Sequence, residues 1–377
     1  MKIGIDTFNC DGGTSGVGVY LSQLLKRIPP SGDRYELFGW DFDRYAYMET
    51  APDLEFISKC RFTGNTANTI WHIYRYPKFA AQRQYNACFF PAAHKRLPQS
   101  SPCPSIGVVH DMAAYWGKRG VREHLGVITR MGLPRALRHL DRIIAVSQWV
   151  KQELVERIGV KESKVEVVPN GIDTAVFYPR PQNEESVLLI QPFSFRRPYI
   201  LCVSRLDHPV KNHIQLIKAF DIFKERTRFP HRLVLAGSDS NRADIIKSAA
   251  AMSKFRNDIF FTGHFPAKNL PELYSGADMV VVPSLYEGGG LGVLEAMASG
   301  VPVACSRSAA LPEVAEHAAL YFDPANAEDM VDRMVTMTTN RETYLECRSQ
   351  GLRRVESFSW DRCAEQTLAI IQETAWC

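Results

Sequence analysis

Short β-rich runs alternate with longer amphipathic stretches along almost the whole chain, and this alternation restricts the fold more than any other feature. Strand-like runs fall at Lys2–Ile5, Tyr35–Phe38, Ala87–Phe90, Ile106–Val109, Arg142–Val146 and Lys164–Val168. A second set falls at Tyr199–Val203, Arg232–Ala236, Ile259–Thr262, Met279–Val282 and Val301–Ala304. Helix-like stretches such as Val17–Arg27, Ser147–Ile158, Ile214–Glu225, Asn269–Ser275 and Leu291–Ala298 lie between them. Alternating βα units imply a mostly parallel sheet with helices on both faces. Eleven strands fit one barrel or two doubly wound domains. The length of 377 residues favours two domains. The segment Phe177–Pro198, with Pro179, Pro181, Pro192 and Pro198 and the polar stretch Gln182–Ser186, has the composition of a linker. The expected architecture is α/β, with two Rossmann-like doubly wound domains over residues 1–178 and 179–356. In open sheets of this kind ligands bind beyond the carboxyl ends of the strands, so two such domains facing across a cleft would place a substrate between them.

Composition narrows the function classes. At 45% hydrophobic and 23% charged residues, the chain has ordinary globular usage. Its apolar runs are too short for a bilayer span. The start, Met1-Lys2-Ile3-Gly4-Ile5-Asp6, reads as a first strand rather than a secretory segment. Nine scattered cysteines without a Cys-x-x-Cys argue against a disulfide framework or zinc site and for a reducing cytoplasm. The net charge of +4 is uneven: residues 59–151 hold fifteen Lys/Arg against three Asp/Glu. With Trp71, Tyr74, Tyr76, Phe79 and Trp116 read as surface aromatics, this segment is expected to meet an anionic membrane. No nucleic-acid-binding motif accompanies the charge, so nucleic acid is not an expected partner.

The richest chemistry lies in Pro283-Ser284-Leu285-Tyr286-Glu287-Gly288-Gly289-Gly290-Leu291-Gly292-Val293-Leu294-Glu295. A strand ends, a glycine-rich turn follows, and a helix opens. Backbone amides at a helix N-terminus attract anions, and glycine permits close approach of a phosphate. Glu287 and Glu295 are eight positions apart, at most about 12 Å along a helix. That spacing suits one carboxylate on each side of a bound diphosphate, Glu295 toward a ribose and Glu287 toward the transferred group. The plain alternative is a capping acid and a solvated helix acid. Upstream, Arg205 and Lys211 sit between the strand Tyr199–Val203 and the next helix, where two cations can neutralise a diphosphate without a metal.

The loop Asp11-Gly12-Gly13-Thr14-Ser15-Gly16-Val17-Gly18 also joins strand to helix. It lacks the glycine spacing of a dinucleotide fingerprint, since Asp11 stands where a glycine is required. His110-Asp111 closes the strand Ile106–Val109 and reads as a polar turn, a catalytic pair or a donor-binding pair. There is no Walker A, Gly-x-Ser-x-Gly or His-Glu-x-x-His motif.

Taken in order, these segments resemble the GT-B-fold retaining glycosyltransferases of glycosyltransferase family 4. The resemblance rests on Gly12-Gly13, His110-Asp111, Ile144-Ala145-Val146-Ser147, Val168-Pro169-Asn170-Gly171-Ile172-Asp173, Ser204-Arg205 with Lys211-Asn212, and Glu287-x7-Glu295 running into Ala296-Met297-Ala298-Ser299-Gly300-Val301-Pro302-Val303. It implies that His110, Glu287, Arg205 and Lys211 carry catalysis. Gly12, Gly13, His264, Phe265, Gly288, Gly289, Gly290, Leu291 and Glu295, with Arg205 and Lys211, would bind the donor. His264 and Phe265 would meet the base and His110 the sugar. It further implies a nucleotide-diphosphate sugar as donor and no required cofactor or metal. The Val-His-Asp strand end and the short first domain look most like the mannosyltransferase branch, hence GDP-mannose over a UDP-sugar; the acceptor would be a glycan or, if the basic segment 59–151 docks at the inner face of a membrane, lipid-linked. Residues 357–377 would cross back onto the first domain. The sequence departs from the family at Gly289, usually aromatic, and Gly292, often proline. Two other readings remain: a metal-dependent GT-A transferase using Asp41-Phe42-Asp43, and a sugar-nucleotide-binding protein without catalysis.

Overall fold

A computed structural model describes the chain except for residues 14, 31, 52–53, 61–64, 117–126, 182–186, 191–192 and 377, and except for the side chains of residues 59–60, 65–67, 114, 116 and 127–131. The first sheet comprises β1 (Lys2–Asp6), β2 (Arg34–Trp40), β3 (Glu55–Cys60), β4 (Ala87–Phe90), β5 (Ser105–Val109), β6 (Arg142–Ala145) and β7 (Val165–Val167). An antiparallel hairpin follows, β8 (Val187–Ile190) and β9 (Phe193–Arg196). The second sheet comprises β10 (Tyr199–Val203), β11 (Arg232–Ala236), β12 (Ile259–Gly263), β13 (Met279–Val282), β14 (Val303–Ser306) and β15 (Ala319–Phe322). The spatial orders are β3-β2-β1-β4-β5-β6-β7 and β12-β11-β10-β13-β14-β15. Both sheets are parallel, and each is doubly wound with a Rossmann-like strand order. In each, the winding reverses where the first strand meets the fourth: at β1/β4 and at β10/β13.

The described residues up to Gly171, with those from Ser359 onward, form one compact unit; Ile172–Phe358 form a second. In the first unit the terminal helix Trp360–Trp376 packs on the helix Gly16–Leu25, where the Tyr20 and Thr367 hydroxyls are 3.0 Å apart. In the second, Ile200, Leu235, Met279 and Val281 from the strands bury against Leu216, Phe220 and Phe223 of the helix His213–Thr227. The central strands are buried on both faces, which explains why they read as short apolar runs without alternation.

Three sequence-based expectations need correction. The described structure has fifteen strands, because β3, β8, β9 and β15 join the expected eleven. Part of the linker-like segment is the β8–β9 hairpin: Ile190 and Phe195 point inward while Leu189 and Ser194 face solvent, a period of two that proline content masks. The third concerns the aromatics of the basic segment. Trp71, Tyr76 and Phe79 are core residues, packed with Phe38 at ring separations of 5.3–6.1 Å. The backbone at Trp71–Arg75 is π-helical, so Tyr76 falls one wide turn above Trp71, on the same inward face. Tyr74, Arg75 and Lys78 face outward, and the side chain of Trp116 lies outside the described residues. Among the described residues no helix is long and apolar enough to cross a membrane.

Candidate active site

The switch point of the second sheet gathers the residues with the most chemistry. Strands β10 and β13 are neighbours, with Ile200 opposite Met279, so the loops leaving their carboxyl ends run side by side. Asn212 ties the loops together. It adopts a left-handed backbone (φ 55°), and its side-chain amide donates to the carbonyls of Pro283 (3.1 Å) and Pro324 (2.9 Å). The Leu285 amide donates to Val210 O at 2.8 Å. This cross-bracing brings Lys211 Nζ to 2.5 Å from Glu287 Oε1, an ion pair between half-buried side chains 76 positions apart. The Ser284 hydroxyl donates to the same Glu287 oxygen at 2.8 Å. Below them, His213 Nε2 and Ser204 Oγ are 3.1 Å apart, and burial pushes the His213 imidazole down to about 4, so it is neutral.

Gly290 caps the following helix, Leu291–Ala298, with φ 59°, a conformation that glycine adopts without strain. It has no side chain to satisfy the first helical amides, so Leu291 opens the helix with donors facing the turn Gly288–Gly290. One turn further, Glu295 accepts a 2.9 Å hydrogen bond from the buried Tyr274 hydroxyl. Burial pushes the Glu295 carboxyl up to about 7, and the Tyr274 bond restrains the rise. A carboxylate that titrates near neutrality in a region dense with polar groups is a functional-site signature.

Arg205 lies exposed just beyond β10, without an ion-pair partner among the described residues. That loop hugs the next one: Leu206 N donates to Ser238 O at 2.9 Å, and a Cβ on Gly237 would fall 2.0 Å from Ser204 O. His264 follows β12, exposed, with Nδ1 3.4 Å from Ser238 Oγ. Its neighbour Phe265 is buried, with its ring packed against Phe193 (5.4 Å) and Phe195 (6.1 Å).

The first unit has its own cluster at the carboxyl ends of β1 and β5. Gly12 (φ 54°) and Gly13 (φ 82°) form the turn after β1, and the Tyr47 hydroxyl anchors it, accepting from Gly13 N (3.1 Å) and donating to Cys10 O (2.9 Å). Gly18 lets the helix pack directly on this turn, since a Cβ there would come 2.5 Å from Cys10 O. Lys95 Nζ reaches Asn9 O (2.8 Å) and Asp11 Oδ2 (2.7 Å). His110 donates from Nε2 to Pro91 O at 3.1 Å, and its ring stands edge-on to Tyr20. Burial lowers its pKa to about 3, so it is a neutral imidazole whose Nδ1 is the accepting nitrogen. Sequence reasoning missed a buried pair behind the turn: His72 Nε2 is 2.9 Å from Asp6 Oδ2, and His72 Nδ1 is 2.9 Å from Asn68 O. The partners are 66 residues apart, and neither belongs to a recognisable motif.

Asp43 is buried at the start of the helix Asp43–Met48, where it accepts from the Thr7 hydroxyl (2.8 Å) and Trp40 N (3.1 Å), while Asp41 faces solvent. Among the described residues no cluster of three or more His, Cys, Asp or Glu could hold a metal.

Two families match the chain almost end to end. Glycosyltransferase Family 4 matches residues 14–176, and Glycosyl transferases group 1 matches residues 190–354. O-antigen chain mannosyltransferase B of Escherichia coli is 29% identical over 374 residues, covering 94% of this chain and 95% of that protein. MMP alpha-(1->4)-mannosyltransferase of Mycolicibacterium hassiacum is 28% identical, covering 69% of this chain and 60% of that protein. Among solved structures, sucrose-phosphate synthase from Thermosynechococcus elongatus superposes with a TM-score of 0.78 at 19% identity, covering 99% of this chain and 98% of that one. Anabaena HepE in complex with UDP and glucose gives 0.74 at 17%, covering 99% of each chain. These structural likenesses establish a GT-B fold.

Proposed function

The chain belongs to glycosyltransferase family 4, and on that premise we propose that it transfers a mannosyl residue, with retention of configuration, from a nucleotide-diphosphate sugar to a glycan or lipid-linked acceptor. The observation that carries this reading is the Lys211–Glu287 pair at the β10/β13 switch point, beside the Gly290-capped helix and Glu295. Two relatives named as mannosyltransferases support the sugar, and GDP-mannose is the donor we favour.

Lys211 Nζ carries three donor protons, enough to hold a phosphate oxygen while keeping or releasing Glu287. The diphosphate and Glu287 compete for it, so an arriving donor frees the Glu287 carboxylate to accept from hydroxyls of the transferred sugar. Glu295 accepts from the ribose hydroxyls in its ionised form. As the bond between the anomeric carbon and the phosphate oxygen breaks, negative charge builds on the leaving diphosphate. Lys211, Arg205 and the amides at Gly288–Leu291 stabilise that charge more in the transition state than in the bound donor. The acceptor hydroxyl attacks the face that the diphosphate is vacating, and its proton passes to the departing phosphate oxygen. No protein nucleophile is needed and no metal is required. Neutral His110 serves as a hydrogen-bond acceptor for a sugar hydroxyl. The outward row Tyr74, Arg75 and Lys78 would meet an anionic lipid surface; vesicle sedimentation that is indifferent to anionic lipid removes that contact.

Incubation with GDP-[14C]mannose and UDP-[14C]glucose, with and without EDTA, tests the donor and the metal independence. NMR of the product's anomeric coupling tests retention. Turnover of UDP-glucose alone refutes the mannosyl reading, and an inverted product refutes the mechanism.

A further inference from the structure

The loop entering β5 carries chemistry that glycosyl transfer does not use. Strands β4 and β5 are parallel neighbours with Cys88 opposite Ser105, and Cys88 N donates to Pro104 O at 2.9 Å. This pairing draws the residues just before β5 onto β4. It leaves Cys103 Sγ 3.6 Å from Cys88 Sγ, the one pair of thiols in contact among the described side chains. A disulfide bond is about 2.05 Å long, so the sulfurs are separated by roughly 1.6 Å more than a bond requires. Cys103 lies on a proline-flanked loop and is partly exposed, whereas Cys88 is buried in the sheet.

The surroundings distinguish the two sulfurs. The hydrogen bond shared with Cys88 lowers the Cys103 thiol from its ordinary value against the opposing effect of burial, with help from Ser101, whose Oγ is 3.6 Å from Cys103 Sγ. Burial pushes Cys88 well up. Ser101 is itself held by Tyr76, with 3.0 Å between the hydroxyl oxygens. The accessible sulfur is therefore the better thiolate, and the buried one is a resolving thiol within reach.

We propose that Cys88 and Cys103 form a peroxide-oxidisable dithiol, a modification site on the first unit separate from the transfer chemistry. The Cys103 thiolate attacks one oxygen of a hydroperoxide. The O–O bond breaks, Cys103 becomes a sulfenic acid, and the other oxygen leaves as an alcohol, or as water when the oxidant is hydrogen peroxide. Cys88 sulfur then displaces the hydroxyl from Cys103 sulfur, and that hydroxyl departs as water with the Cys88 proton. Two thiols lose two electrons, the peroxide gains them, and a reducing thiol reverses the change.

The test treats the full chain with hydrogen peroxide, blocks remaining thiols with N-ethylmaleimide and maps digested peptides by mass spectrometry. The expected result is a peptide pair linked through Cys88 and Cys103, two fewer alkylatable thiols per chain, and full recovery with dithiothreitol. Cys103→Ser should leave Cys88 alkylatable after the same treatment. Cys88→Ser should leave a sulfenic acid on Cys103 that dimedone traps. If this core variant does not fold, the loop variant and the wild-type map decide alone. Cys103 found as sulfinate with Cys88 still alkylatable, either residue linked to another cysteine, or no thiol lost at all would overturn the proposal.

Discussion

Glu295 provides the sharpest quantitative test, because on its proposed role the same carboxyl would govern donor binding and stability with opposite signs. In the free protein its pKa is pushed up to about 7 by burial. If the ionised form is the one that accepts from ribose hydroxyls, protonation removes the acceptor. From pH 8 to pH 6 the ionised fraction falls from about 0.9 to about 0.1, so kcat/KM for donor should drop about tenfold along a single acid limb. Stability moves the other way. A raised folded-state pKa means that the native protein binds the extra proton between the ordinary carboxyl value and 7, so stability falls as pH rises through that window. Above it, the ionised Glu295 costs up to about 3 kcal/mol. Glu295→Gln keeps an acceptor for the Tyr274 hydroxyl but carries no charge. It should raise Tm at pH 8, change it little at pH 5, flatten the acid limb and raise the donor KM. Initial rates with labelled donor between pH 5.5 and 8.5, together with thermal melts at pH 5 and 8, measure all four. An unchanged acid limb in Glu295→Gln, or a lower Tm at pH 8, would refute the assignment.

The other expectations follow from the same contacts. Lys211→Ala should lower kcat/KM by about 10²–10³, mainly in kcat, as for loss of one transition-state donor; single-turnover kinetics separate that from weaker binding. Tyr274→Phe removes the bond that restrains Glu295, so the acid limb should move to higher pH with little change on the alkaline plateau, read from the same pH series. Asp43→Ala removes the acceptor of the Trp40 amide and the nearer of two acceptors of the Thr7 hydroxyl, and should cost about 1–3 kcal/mol by urea melt. Asp41→Asn should leave stability and transfer unchanged, and transfer should persist in excess EDTA, whereas loss restored by Mn²⁺ would contradict the metal-free site.

What the sequence exposes and what it conceals divide along a physical line. A glycine-rich turn between a strand and a helix is legible because its constraint is local: only a residue tolerant of φ 59° fits at Gly290, and the helix it caps starts on the next residue. Arg205, Lys211 and Glu287 stand out as candidates for the same reason, since each lies on a loop past a strand, and Glu295 lies one turn into the helix that Gly290 caps. Tyr274 does not stand out. It sits on the short helix Leu270–Ser275 and looks like any core aromatic, and only the fold brings its hydroxyl to Glu295. Phe265 is a different case, because its position on the loop past β12 suggests a ligand contact, while the packing of its ring in the aromatic cluster with Phe193 and Phe195 is visible only in the fold. The same logic bears on Lys211 and Glu287. Chain position suggests separate duties, phosphate for one and sugar for the other, but in the structure each is the other's partner. Neither half-buried charge then stands uncompensated before donor arrives. On the proposed roles, the donor would supply a replacement for both ends of the pair at once: an anion for Lys211 and hydroxyl donors for Glu287. A free nucleoside diphosphate offers the first without the second, so it should bind more weakly than the intact sugar nucleotide, and Glu287→Gln, which removes the competing anion, should narrow that difference in calorimetric titrations.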